Sequence, residues 1–252
     1  MRNRNTSQKI ILFILSYFIL WIILFEFILP VNEILPGPSI VILSFSALWK
    51  DYHLLINFLF TFSSIYISLF TAYLFLFLLS SLISKMDNFF INFLLSLNWF
   101  SKFIPSIIFG MFLIYWFPNS NIIEIVFAFV SAYFSLVIAF MEAAKKVESE
   151  YLDSAVSLGA GEGLIAKKII WKAVQPKLFK HLFSLHFNIW SIIIIFEYIK
   201  GGYGLGEIFR LSLTFHDISA LFSITLIIGV VIYLGTQAIK YFQNKFCHWS
   251  FN

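Results

Sequence analysis

Long apolar runs, separated by short polar breaks, dominate the pattern along the chain, and each approaches the ~20 residues a helix needs to cross about 30 Å of hydrocarbon. Six runs stand out: residues 10–29, closed by Pro30; 54–83, long enough to tilt or to extend past the bilayer; a core at 105–117; 122–140; 178–199; and 218–239. The stretch 89–104 before the third run reads either as its first turns or as an interfacial piece. The first run follows Arg2, Arg4 and Lys9, as a signal peptide would. It is too long and lacks a small-residue cleavage site, so an uncleaved anchor is expected.

Composition agrees with a bilayer. Of 252 residues, 60% are hydrophobic and 12% charged, with a mean hydropathy of +0.90, more apolar surface than one soluble core of this length hides. The 33 phenylalanines fit codon bias in a low-GC genome without any aromatic function. Cys247 is the single cysteine, which excludes an internal disulfide and a cysteine metal cluster.

Charge then sets an orientation. Six crossings put both ends on one side, and basic residues gather in cytoplasmic loops. With the N-terminus inside, Arg2, Arg4, Lys9, Lys85, Lys145, Lys146, Lys167, Lys168, Lys172, Lys177, Lys180, Lys240 and Lys245 are cytoplasmic, thirteen of the 17 basic residues. Lys50, Lys200 and Arg210 fall outside, and Lys102 lies at an undecided depth near the third run.

The loop between the fourth and fifth runs carries "DSAVSLGAGEGLIAKKIIWKAVQP", residues 153–176. Leu152, Ala155, Val156 and Gly159 fall at i, i+3, i+4 and i+7, one stripe of a short amphipathic helix, with Glu150, Asp153, Ser154 and Ser157 on the other faces. Gly159, Gly161 and Gly163 are expected to break that helix. A second helical piece resumes near Leu164, with Lys167, Lys168 and Lys172 along one side, and Pro176 is expected to mark its end at Gln175. Glycines followed by lysines also suggest a phosphate loop. That reading fails, because no glycine precedes Lys167 and no Ser or Thr follows Lys168. An ordinary basic loop explains the lysines but leaves the apolar stripe uncovered.

The segment resembles the cytoplasmic "EAA" loop of ABC importer permeases, the membrane subunits of binding-protein-dependent transporters. Asp153, Ser154 and Ala155 stand where E-A-A would be, Gly159 is the loop glycine and Ile169 the following aliphatic position. Trp171 and Lys172 replace a Leu-Pro pair, and Pro176 matches a second proline; the "EAA" at residues 142–144 lies too far from Gly159 to belong to the pattern. "LPGPSIV", residues 35–41, resembles a segment after the first span in permeases of the nitrate, sulfonate and taurine branch, which also includes riboflavin and thiamine-precursor systems. Pro105, Trp116 and Phe117 match the third span of that branch, with Pro118 in place of a glycine. "EYIKGGYGLGEI", residues 197–208, resembles its outer acidic residue followed by G-L-G.

The resemblance implies an all-α, polytopic membrane protein of the type I importer permease architecture, with six transmembrane helices. It divides the chain into an anchor at 1–34, a permease domain at 35–241 with its coupling loop at 142–177, and a cytoplasmic tail at 242–252. It implies a chain that is not itself an enzyme, with ATP and magnesium on two separate ATPase subunits. A second permease copy or a related chain, an extracytoplasmic substrate-binding protein and the bacterial cell membrane are the other implied partners; a nucleic acid is not. The cargo class it implies is a small organic or anionic solute. The ATPase would grip Tyr151, Leu152, Asp153, Ala155, Val156, Leu158, Gly159, Ala160 and Gly161, while Glu197, Gly204 and Gly206 would sit near an external gate.

Other polar residues carry two readings. Glu197 is either a functional acid at membrane depth or an interfacial residue paired with Lys200 one turn later. Glu26 and Glu124 lie near run ends, within reach of headgroups. His181, His186 and His216 show no ligand spacing, so satisfied or interfacial histidines are expected. Trp21, Trp49, Tyr115, Trp116 and Tyr198 read as interfacial belts. The rival class is a self-sufficient secondary transporter, which calls for ionisable groups at mid-membrane and an inverted repeat. Here the acids cluster toward run ends and the loop has no evident second copy. A membrane enzyme would need a convergent acid, base and nucleophile set, and none is evident.

Overall fold

The computed structural model describes residues 2–29, 35–83, 86–101, 103–147 and 149–247; Pro30, Lys85 and Lys102 lie outside them. Among the described residues every regular element is helical. In chain order these are α1 (Arg2–Ile22), running on as π-helical turns over Ile23–Ile28, α2 (Pro38–Lys50), α3 (Leu54–Ile83), α4 (Asn88–Ser101), α5 (Ser106–Trp116) and α6 (Ile122–Ala144). Then follow α7 (Ser149–Ser157), α8 (Glu162–Leu164) with π-helical turns over Ile165–Ile170, α9 (Trp171–Lys200), α10 (Leu205–Thr214) and α11 (Ile218–Phe246).

Four helical stretches are long and apolar enough to cross a membrane: Leu54–Ile83, Ile122–Ala144, Ile165–Lys200 and Ile218–Phe246. They correspond to the second, fourth, fifth and sixth runs, and α11 continues past the expected end at residue 239. The third run forms α5, and the stretch 89–104 is not its first turns. The residue before a proline is pushed out of helical geometry, and Pro105 caps α5 with extended backbone, ψ 131°. The apolar stretch before it therefore forms a separate helix, α4. The 11 residues of α5 rise only about 16 Å.

Pro176 does not end a helix. It lies inside α9, continuous from the π-helical turns to Lys200. Val174, Leu178 and Phe179 on either side of it are buried, and packing by neighbouring helices is what lets a membrane helix tolerate a proline. Gly163 is likewise no breaker, since it sits within α8.

The core forms where α3, α6 and α9 meet. Small residues let these helices approach: Ala72 on α3 and Ala128 and Ala132 on α6 are fully buried, and Ser68 donates to the Ile125 carbonyl at 3.0 Å. Phe127 stacks on Phe196, with ring centroids 5.0 Å apart. On the flank, α2 packs on α11 through paired serines, Ser223 donating to the Val41 carbonyl at 3.0 Å and Ser44 bonding Ser223. Large apolar side chains such as Phe70, Leu43, Phe134 and Val230 cover the outside. In water that surface would aggregate; in lipid it is solvated.

Glu26 accepts a hydrogen bond from the Ser39 amide at 2.7 Å, so it caps the start of α2 instead of reaching for headgroups. His181 bonds Ser135 at 2.8 Å, as a satisfied histidine should; His186 Nε2 meets both the Tyr66 hydroxyl and the Trp190 indole at 3.0 Å, while its buried Nδ1 has no hydrogen-bond partner among the described residues. Trp49, Tyr115, Trp116 and Tyr198 face outward.

Candidate functional site

Two polar features sit at opposite ends of the bundle. The first is a knob built from α7, the glycine turn and α8. Helix α7 includes Tyr151 and ends in a Schellman turn: Ala160 N donates to the Ala155 carbonyl at 3.0 Å and Gly159 N to the Val156 carbonyl at 2.9 Å. Gly159 supplies the left-handed residue this turn needs, φ 79°. The chain re-enters helix at once, with Leu164 N and Ile165 N both donating to the Gly161 carbonyl.

The apolar stripe divides across the knob. Ala155 is buried and Leu152 and Ala160 are half-buried, where α7 packs on the turns of Ile165–Ile170. Asp153 is exposed, and so are Val156 at 60% and Leu158 at 88%. The knob is anchored from beneath and leaves the Val156 and Leu158 side chains exposed.

The second feature gathers around Glu197 at the far end of α9. Glu197 is fully buried. Thr61 on α3 donates to its Oε1 at 2.6 Å and Gly206 N donates to its Oε2 at 2.8 Å. Thr61 Oγ1 in turn accepts from Leu205 N at 2.8 Å, and Asn57 Oδ1 accepts from Gly204 N at 2.9 Å. The turn 201–204 and the first residues of α10 are thereby stitched to α3 and α9. Gly204 adopts φ 105°, and a Cβ there would fall inside the Glu197 carboxyl. A Cβ on Gly206 would lie 2.6 Å from both Glu197 Cβ and Tyr198 N. Glu197, Gly204 and Gly206, picked out by one short motif, are thus one contact.

Two expectations fail at this cluster. Lys200 does not pair with Glu197; its ammonium donates to Asn121 Oδ1 at 3.0 Å and lies 5.8 Å from the Phe60 ring centroid. Glu124 does not reach headgroups, because it is fully buried in the protein. It points inward on the stripe of Ala128, Ala132, Leu136 and Phe140, all spaced by four and all fully buried. Asn57 and Thr61 were missed altogether. Their signal was Asn57, Thr61, Ser64 and Ser68 recurring every three or four residues in a helix with no charged residue, a polar stripe that has to face protein.

Residues 77–246, well over half of the chain, match the family model of the binding-protein-dependent transport system inner membrane component. The chain belongs to that family. The match begins within α3 and ends with α11, so it contains the knob, α9 and most of the Glu197 cluster, while Asn57 and Thr61 precede it. No curated protein matches the chain. An inner membrane component of such a transport system is a membrane subunit that works beside an ATPase and a binding protein. Within this permease, a single 36-residue helical stretch, Ile165–Lys200, joins the knob to the Glu197 cluster.

Proposed function

We propose that this permease is the translocating subunit of an ATP-driven importer, and that the knob is where a separate ATPase subunit grips it. The observation that carries this reading is the pair of exposed side chains Val156 and Leu158 on a turn fixed by Gly159. A protein interface centres on apolar anchors with a polar rim, and Asp153 and Ser157, both exposed, lie on the same short helix as Val156.

The geometry supplies a transmission route. The knob seats on Ile165–Ile170, and that segment runs directly into α9. A continuous helix of 36 residues spans about 54 Å, so a displacement at the knob moves the Glu197 end with it. Closure of two ATPase subunits around ATP and magnesium would pull two knobs together, one on this chain and one on a second copy or a related permease. The turn 201–204, stitched to α3, would shift with α9 and open or shut the far end. In this reading the lysine-rich knob end is cytoplasmic and the Glu197 end faces an external binding protein that delivers the cargo. The "LPGPSIV" segment favours a small organic or anionic solute of the nitrate, sulfonate or taurine kind, or a vitamin precursor.

The test is to place Asp at both Val156 and Leu158 and co-express the permease with its cognate ATPase. Each position is exposed, so the fold is expected to persist with unchanged thermal stability in detergent. Co-purification of the ATPase is expected to fall by at least tenfold, and uptake in proteoliposomes to cease. Undiminished ATPase recovery with full uptake would remove the knob from the mechanism.

A further inference from the structure

Glu124 is the third residue of α6, and both oxygens of its fully buried carboxyl are without a hydrogen-bond partner among the described residues. Its neighbours are Glu197 on α9 and Ser64 on α3. Among the described residues no cation is hydrogen-bonded to it. On α9, Lys200 bonds Asn121; on α10, Arg210 is held by Glu207, Nε to Oε2 at 2.7 Å. The face of α3 toward the site contributes Asn57, Thr61 and Ser64, and neither α4 nor α5 contains a charged residue. Asp217, ahead of α11, is occupied by Tyr52, Ser219 and Ala220 N.

A carboxylate stripped of water and of donors is far costlier than the neutral acid, and two carboxyls sharing a buried site do not both ionise. The donors divide the pair unequally. Glu197 receives Thr61 and the Gly206 amide, while Glu124 has only the Ser64 hydroxyl and Glu197 itself beside it. We infer that Glu124 and Glu197 form a proton-binding site, one proton held between two buried carboxyl groups. A metal ion is the poorer occupant, since no group of three His, Cys, Asp or Glu side chains among the described residues could hold one.

Occupancy has a mechanical consequence. With the proton bound, one carboxyl can donate to the other, drawing α6 to α9 where the Gly204–Gly206 turn seats. With the proton lost, two like charges face each other in the core and force α6 from α9. The contact around Glu197 is therefore proton-dependent, closed with the proton bound and loosened when it is lost. The inference stands on the acid pair alone and does not need the ATPase reading.

The experiment is infrared difference spectroscopy on the full-length protein in liposomes, with isotope-labelled glutamate, titrated from neutral to alkaline pH. A carbonyl band from a protonated glutamic acid is expected at neutral pH, fading in alkali together with a fall in thermal stability. In Glu124→Gln the band is expected to vanish, and stability to be retained at neutral pH with its alkaline loss abolished. A wild-type spectrum without the band, or a band unchanged in Glu124→Gln, overturns the proposal. So does a Glu124→Gln chain that fails to fold, because the amide reproduces the neutral acid in shape. A band that responds to sodium or calcium in place of pH would assign the site to a metal cation and equally overturn it.

Discussion

The knob and the Glu197 cluster both turn on glycine, and for different physical reasons. Around Gly159 nothing lies within 4 Å of where a Cβ would be, so glycine is needed there only for its left-handed backbone. Around Gly204 and Gly206 there is no room at all: the Glu197 carboxyl occupies the one position and the backbone of α9 crowds the other. The knob is a shape held out for contact with something else, and the cluster is a contact already made. A substitution in the first should therefore spare the fold and harm an interaction, whereas one in the second should harm the fold itself.

Gly206→Val offers the sharpest break. Its Cβ meets the Ile194 carbonyl and the Tyr198 amide, which are backbone atoms and cannot rotate aside. Separating α10 from α9 would also remove the Gly206 amide from Glu197. Overpacking plus a lost hydrogen bond to a buried carboxyl is expected to cost about 3 kcal/mol or more. A large drop in thermal unfolding midpoint in detergent, with poor recovery from membranes, is the expected outcome. Wild-type stability would show that α10 does not seat on α9 as described.

Gly159→Val should behave in the opposite way. A non-glycine residue in left-handed geometry costs about 1–2 kcal/mol, and the open space around the turn lets that strain stay local. The expected result is a small shift in unfolding midpoint with ATP hydrolysis uncoupled from uptake in reconstituted complexes. Transport at the normal rate would refute a coupling role for the turn. If both glycine variants damaged stability equally, the contrast between the two ends would be lost.

How far the sequence reveals these ends follows the same division. The knob is legible because its rules are local: a helical stripe, a left-handed glycine and the restart of helix all lie within about fifteen consecutive residues, and the Schellman turn needs no distant partner. The Glu197 motif is half legible, since spacing brought Glu197, Gly204 and Gly206 to attention while their shared contact depended on α10 folding back over α9. Glu124 was misread because position along a helix gives depth in a membrane but not the direction a side chain faces. Its four-residue stripe with Ala128 and Ala132 carried that direction. Pro176 was misread for the reverse reason: a local preference against helix was overridden by packing on either side of it. The break at Pro105 was legible as a proline, but the sequence left two readings of 89–104, and only the structure decides for a separate helix, α4.

The smallest expected effect lies at the edge of the Glu197 end, where a polar contact is half in water. Asp217 caps α11, accepting from Ala220 N at 2.9 Å, from the Ser219 hydroxyl at 2.7 Å and from the Tyr52 hydroxyl at 3.0 Å. Burial opposes its charge, but these donors together hold its carboxyl below the ordinary value of 3.8. A carboxyl depressed by folding adds stability that is complete above its unfolded value and is lost as pH falls through the folded one. Replacing Asp217 with Ala should therefore cost about 1 kcal/mol at neutral pH, the usual loss of an N-cap. That difference from wild type should shrink as the pH is taken below 3.8 and the native carboxyl begins to protonate. Thermal unfolding midpoints of both proteins across an acid series give the measurement. A gap that widens toward acid would mean that the cap acts through its neutral form, and that the polar contacts at this end do not follow the carboxylate logic by which Glu197 holds the Gly206 amide.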